Sequence, residues 1–258
     1  FDDQLPDFGS ARHRAAMVDY QQRWLDAARA IGEDGLDGQD LLSYRIFVGE
    51  RELALEGERF PGWMMPVNQM GSVASYAVLL GSGQSAQPFK TVRDYDNWLA
   101  RAGRVPQLLD TENANMRLGM AAGVVQPRVL MEKVLPQLDA VLAAGKASES
   151  LFWGPINALP EDFSEQDKTR LEAAFTALVE QQLLPALRRQ RDFIADVYLP
   201  ACRQSVALSA RPDGAAWYAY NARQSTTTTQ TPAQLHATGL AELARIHAQI
   251  REVMQQVG

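Results

Sequence analysis

The sequence predicts an all-α fold, a bundle-like array of several helices, some of them kinked, with at most a minor hairpin. Three observations predict it. Apolar residues recur three and four apart along most of the 258 residues. Segments starting at Thr91, Ser164 and Thr231 open with the residue pattern of a capping box. No segment sustains the alternation of a half-buried strand.

The first helix takes Ser10 as its N-cap and Gly32 as its stop, with Met17, Tyr20, Trp24, Ala27 and Ile31 along one apolar stripe. A second starts after Asp37. Its stripe is Leu42, Ile46, Gly49 and Leu53, and Arg45, Glu50, Arg51, Glu52, Glu56 and Glu58 occupy its other faces. Two prolines and a glycine make 60–66 a loop. The helix opened by Thr91 and Asp94 has Tyr95, Trp98 and Leu99 as its apolar side.

Helices follow over 106–122 and 127–144. The second carries Leu130, Val134, Leu138 and Val141 and is expected to kink at Pro136. Gly119 and Gly123, four apart, either let two helices approach closely or mark a helix end. The helix capped by Ser164 bears Leu171, Phe175, Leu178 and Leu183. It should kink at Pro185 and continue through Phe193, Ile194 and Val197 to Pro200. After a threonine connector at 226–229 comes the clearest start signal, with Thr231 as N-cap, Pro232 next and Gln234 third. The stripe that follows, Leu235, Leu240, Leu243, Ile246, Ile250 and Val253, is long enough to require partners.

Composition narrows the function classes. Hydrophobic residues at 46% and charged residues at 22% exclude bulk disorder. A net charge of −6 gives no basic face for nucleic acid. The longest apolar run, around 73–80, falls far short of the ~18–20 residues that cross a bilayer. A single cysteine, Cys202, excludes an internal disulfide framework and every multi-cysteine zinc site.

Several motifs fail on their chemistry. Gly81, Gly83 and Ala86 mimic a dinucleotide fingerprint, but Pro88 follows where a helix N-terminus must hold the pyrophosphate, so a turn is the better reading. His236 and His247 lie eleven residues apart on one expected helix, ~16 Å along its axis, too far for one metal. Cys202 follows Pro200 in an apolar stretch and reads as a buried, inert thiol. The Glu50–Glu58 carboxylates, interleaved with arginines, read as a solvated ion-pair face. One cluster stands out. Trp217, Tyr218, Tyr220, Asn221 and Arg223 fall within seven residues, and rings beside hydroxyl, amide and guanidinium groups suit a polar, peptide-like ligand. A short helix with its rings inward and Arg223 in solvent explains the same residues.

At this cluster the chain resembles the domain-of-unknown-function family 885. The resemblance is carried by Pro212 to Tyr220, by Thr231 to Ile246, by Arg117-Leu-Gly-Met-Ala-Ala-Gly-Val-Val-Gln-Pro-Arg-Val129 and by the Phe89 to Trp98 segment, in order along nearly the whole chain. It implies a bacterial, mostly helical protein about twice this length, similar to zinc metallopeptidases, with a His-Glu-x-x-His helix in its second half. The chain would then be one helical unit over 1–258, the N-terminal half of a two-half protein. It would hold no catalytic residue and no metal of its own, with zinc expected in the other half. The resemblance also leans towards the periplasm or cell envelope.

Two functions compete at this point. In the first, the chain is the substrate-recognition half of a zinc-dependent peptidase or hydrolase, not catalytic by itself, with Tyr218, Asn221, Arg223 and His236 facing a peptide-like substrate and Arg128 as a carboxylate clamp. Its partner is the C-terminal half of the same protein. In the second, it is a non-catalytic helical binding or scaffold module.

Overall fold

The computed structural model describes residues 2–258. Among them the only extended pairings are two isolated bridges, Asn68 with Gly71 and Pro127 with Arg203. The helices are α1 (Ala11–Ile31), α2 (Gly38–Gly57), α3 (Val73–Gly81), α4 (Val92–Ala102), α5 (Val105–Ala122), α6 (Arg128–Leu142), α7 (Gly154–Asn157), α8 (Glu165–Leu178), α9 (Leu184–Phe193), α10 (Leu199–Ala201), α11 (Gly214–Thr226) and α12 (Pro232–Val257).

Local chemistry sets the ends. Ser10 accepts a hydrogen bond from the His13 N–H and opens α1. Thr91 with Asp94 and Thr231 with Gln234 form complete, reciprocal capping boxes. At Ser164 the box is half made: its hydroxyl caps the Asp167 N–H, but the Asp167 carboxylate accepts from that hydroxyl instead of from backbone. A further reciprocal box, Ser72 with Ser75, opens α3. That helix lies in the 73–80 apolar run, where near-continuous hydrophobicity hides the helical period.

The prolines resolve in two ways. α6 stays helical through Pro136. By contrast, α8, α9 and α10 form one long rod interrupted by π-helical turns at Val179–Leu183 and Ile194–Tyr198, each ending two residues before a proline, Pro185 or Pro200. A π turn widens the ladder where a proline ring and missing N–H would otherwise collide with it, so the expected kink is a pair of bulges.

α3 to α10 enclose the main core, in which Tyr95, Met116, Met131, Leu171, Phe175 and Tyr198 are fully buried. A second, smaller cluster joins Phe60, Met65, Val124, Trp217 and Tyr220 and seats α11 on the 60–65 loop and Leu53 at the end of α2. α1 and α2 form a hairpin with little burial: Leu25 and Ala28 are buried on α1, and α2 buries nothing.

The expected stripes on these outer helices need correction. Met17, Tyr20, Trp24, Ala27 and Ile31 are exposed, because α1 buries the adjacent row through Leu25 and Ala28. Leu42 and Ile46 of α2 are exposed too. α12 has no buried residue along its 26 positions, and Leu240, Leu243, Ile246, Ile250 and Val253 all face outward. No helix of the described residues is long and apolar enough to cross a membrane.

Candidate functional site

Four segments converge where α5 turns into α6. α5 ends at Gly123, whose φ of +69° is the left-handed conformation that closes a helix at little cost for glycine. One turn earlier, Gly119 lets the 62–64 turn approach closely: an added Cβ would lie 2.5 Å from the Val124 carbonyl oxygen and 2.9 Å from that of Met64. Gly123 is therefore the helix end, and what comes close at Gly119 is turn backbone, not a second long helix.

The turn itself is pinned from two sides. The Gln126 side chain donates to the carbonyls of Met65 and Val67, at 3.3 and 3.1 Å. Its backbone N–H donates to the Tyr198 hydroxyl at 3.0 Å. Arg203 donates its N–H to the Gln126 carbonyl and accepts from the Arg128 N–H, which makes the Pro127–Arg203 bridge. The Arg203 guanidinium staples the following loop, donating to the carbonyls of Val125, Ser205 and Ala207.

α11 closes this end. Phe60 stacks on Trp217 with centroids 5.6 Å apart and tilts against Tyr220 at 5.1 Å. The Tyr220 hydroxyl donates to the Leu53 carbonyl at 2.8 Å. Trp217 and Tyr220 thus serve packing, and Tyr218 faces solvent.

The five residues chosen from the sequence are not brought into one cluster. Arg223 pairs with Glu56. Tyr218 and Asn221 share a face of α11, the first exposed and the second half-buried. His236 is exposed on α12. Arg128 ion-pairs with Glu132 at 2.9 Å. No hydrogen bond, ion pair or ring contact among the described residues joins any two of them. The carboxylates of α2 pair outward, Glu52 with Arg29, Glu50 with Arg51 and Glu56 with Arg223.

Burial shifts a thiol and a carboxyl, besides the buried phenols of Tyr95 and Tyr198. Burial pushes the Cys202 thiol up to about 11, outweighing the pull of Arg128 and Arg203, so the thiol keeps its proton at neutral pH. Burial likewise pushes Glu112 up to about 7, although it accepts from the Val73 N–H at 3.1 Å and from the Gln190 amide at 2.6 Å. Sequence reasoning missed Glu112. A signal was present, since it lies four residues after Leu108 and three before Asn115, on the buried face of α5.

The dinucleotide-like glycines end α3 and enter a loop before α4, with no helix starting at them. That loop borders a cleft of about 550 Å³ with Pro155 and Ala158 opposite.

Fold and site define an all-helical array whose outer helices keep apolar faces in solvent. The chain belongs to the family of bacterial proteins of unknown function DUF885, which it matches over residues 1–258. No curated protein matches it. Among solved structures it is similar to "the putative lipoprotein from Colwellia psychrerythraea", with a TM-score of 0.76 and 20% identity over 93% of this chain. The match covers 43% of that protein, so the chain spans less than half the length of this relative.

Proposed function

We propose that the chain is the substrate-recognition half of a larger, zinc-dependent peptidase or related hydrolase of the cell envelope, and that it does not catalyse by itself. The observation that carries the reading is the pairing of length with exposure. The fold is matched almost end to end by under half of a longer protein. Meanwhile α12 presents an exposed apolar face from Leu240 to Val257. A second half packed there would remove that face from water. The relative's description as a lipoprotein supports the envelope placement.

The residues of this chain do not fit a zinc ion. A zinc site takes three or four His, Cys or carboxylate side chains at about 2.0–2.3 Å. No such group converges among the described residues. In this reading the metal and the general base come from the other half, and this chain supplies positioning contacts from Tyr218, Asn221, Arg223, His236 and Arg128.

The test uses the full-length gene product and this chain side by side on a peptide library. The full-length protein should hydrolyse peptides in a manner that a chelator abolishes and zinc restores, and the chain alone should not. Arg223→Ala or Tyr218→Phe in the full-length protein should lower kcat/KM by roughly ten- to a hundredfold at unchanged Tm. Ligand binding without hydrolysis in the zinc-loaded full-length protein would replace this reading by the helical module.

A further inference from the structure

We propose that the apolar cavity beneath the N-terminal segment, where α3, α4 and α5 meet, is a binding site for a small carboxylic acid with a ring-sized apolar body.

The helices leave room there because their facing residues are short. α3 contributes Ala77 and α4 contributes Ala102, both buried, and the space between them is not filled. Trp98 walls one side. Gly81 admits its ring against α3, since an added Cβ there would lie 2.6 Å from a ring carbon. Leu108 of α5 completes the floor. The cavity measures about 150 Å³. An apolar cavity of that volume stays dry in water and takes up a benzene ring.

The roof is a separate piece of chain. Segment 2–10 crosses α5, where the Asp7 carboxylate accepts from the Thr111 hydroxyl at 2.7 Å and the Gly9 carbonyl accepts from the Asn115 amide at 2.9 Å. Between those two tethers Phe8 lines the cavity, together with Leu5. Phe8 is 50% exposed and Tyr76 of α3 is 59% exposed, whereas Ala77, Trp98, Ala102 and Leu108 are buried. The mouth therefore lies at the two half-exposed rings and the floor at the helices.

Charge selects the ligand. Among the described residues that line the cavity, Arg101 alone is charged. Its guanidinium lies 5.9 Å from the centroid of the Trp98 ring, which places it at the cavity wall. Arg101 also borders a neighbouring cleft with Asp2 and Asp94, and neither carboxylate pairs with it. Asp94 accepts instead from the N–H groups of Lys90 and Thr91 at the cap of α4. A guanidinium at the edge of apolar walls favours a carboxylate, whose two oxygens match its fork, carried on a body that the walls can enclose. A dianion would lack a second cation.

The site shares no residue with the candidate positions on α6, α11 and α12. It stands whether or not the chain is a recognition half, and its test involves no hydrolysis.

The experiment titrates the chain with phenylacetate, phenylacetamide and acetate. NMR follows the methyl groups of Ala77 and Ala102 and the Trp98 indole N–H, with the Trp217 indole as a control outside the cavity. Phenylacetate should shift the three cavity resonances saturably, with a Kd of ~1 mM or tighter. Phenylacetamide should bind about tenfold more weakly, and acetate, with no body to bury, should give no saturable shift. Arg101→Gln should bring the acid down to the affinity of the amide. Ala102→Leu, which fills the cavity, should abolish binding of both. Should the Leu variant fail to fold, Ala77→Val and the Arg101→Gln comparison decide. No saturable shift with phenylacetate, equal affinity of acid and amide, acetate binding as tightly as phenylacetate, shifts at Trp217 in place of the cavity, or full affinity in a folded cavity-filling variant would each overturn the proposal.

Discussion

Replacing Gly119 by alanine should destabilise this protein, and replacing Gly49 should stabilise it. A methyl group at 119 would lie 2.5 Å from the Val124 carbonyl oxygen, 2.9 Å from that of Met64 and 3.2 Å from the Met64 Cβ. Ordinary carbon–oxygen contacts start near ~3.3 Å. The obstacles are backbone, so the 62–64 turn or the 124–127 turn must give way. Overpacking of this kind costs ~1–3 kcal/mol, and the better helix propensity of alanine offsets up to ~1 kcal/mol. A net loss of about 1–2 kcal/mol lowers Tm by roughly 2–8 °C in a chain of this size. At Gly49, inside α2, nothing lies within 4 Å of the new methyl, so only the propensity gain remains, ~0.5–1 kcal/mol and a rise of roughly 1–4 °C. Circular dichroism at 222 nm follows both melts, and urea titrations check them. A Gly119→Ala variant that melts with or above the parent would refute the close approach of the 62–64 turn to α5, and with it the packing that builds this end of the molecule.

Three further outcomes follow from the same structure. Burial raises the folded pKa of Glu112 to about 7 from an ordinary 4.5, so the folded state keeps a proton that the unfolded chain loses. Its contribution to stability is full below about pH 4.5 and declines as pH rises to 7 and above. Glu112→Gln should therefore lose less stability than the parent between pH 5 and 8, by on the order of 1–3 kcal/mol, and parallel urea curves at the two pH values would contradict this. Cys202, buried and held near 11, should resist iodoacetamide at pH 8 in the folded protein and react within minutes in urea; rapid labelling of the folded chain would count against its burial. Leu243→Glu and Ile250→Glu, on the open face of α12, should each change the stability of this chain by less than ~0.5 kcal/mol, and a cost above 1 kcal/mol would mean that α12 is packed.

Most of the helices were legible in the sequence because their signals are local. A cap at Ser10, Thr91 or Thr231 needs only a side chain and an N–H three residues away, and both are adjacent in the chain. The face a helix buries is a different matter. The spacing of Met17, Tyr20, Trp24 and Ile31 is helical, yet α1 is seated through Leu25 and Ala28, one row over. On α12 the spacing is equally regular, yet from Leu240 onward the stripe lies exposed. Periodicity reports that a face exists; which neighbour covers it depends on long-range contacts that no window of residues contains. The prolines make the same point. Pro136 stays within a helix, and Pro185 and Pro200 each sit behind a π turn, a choice made by the packing of the rod and not by the proline.

The end of the molecule that holds α11 was half legible, and the half that was missed follows one rule. The cluster from Trp217 to Arg223 drew attention because its residues are neighbours in sequence. Folding then separated their tasks: Trp217 and Tyr220 turned inward, Arg223 paired with Glu56 across the 167 residues that divide them in sequence, and Tyr218 stayed in solvent. The contacts that tie this end together instead come from segments far apart in sequence, the 65–67 stretch, the 123–127 turn and the end of the rod at Tyr198. Arg211 looks ordinary in the sequence, one of many arginines. Folding leaves its Nε buried without a hydrogen-bond partner, as it does at Arg51 and Arg101, while Arg128 reaches Glu132, Arg203 four backbone carbonyls and Arg223 Glu56. Donors left unpaired by folding cannot be found by searching for residue types. They are found by accounting for each buried donor in turn, because a donor without an acceptor costs free energy.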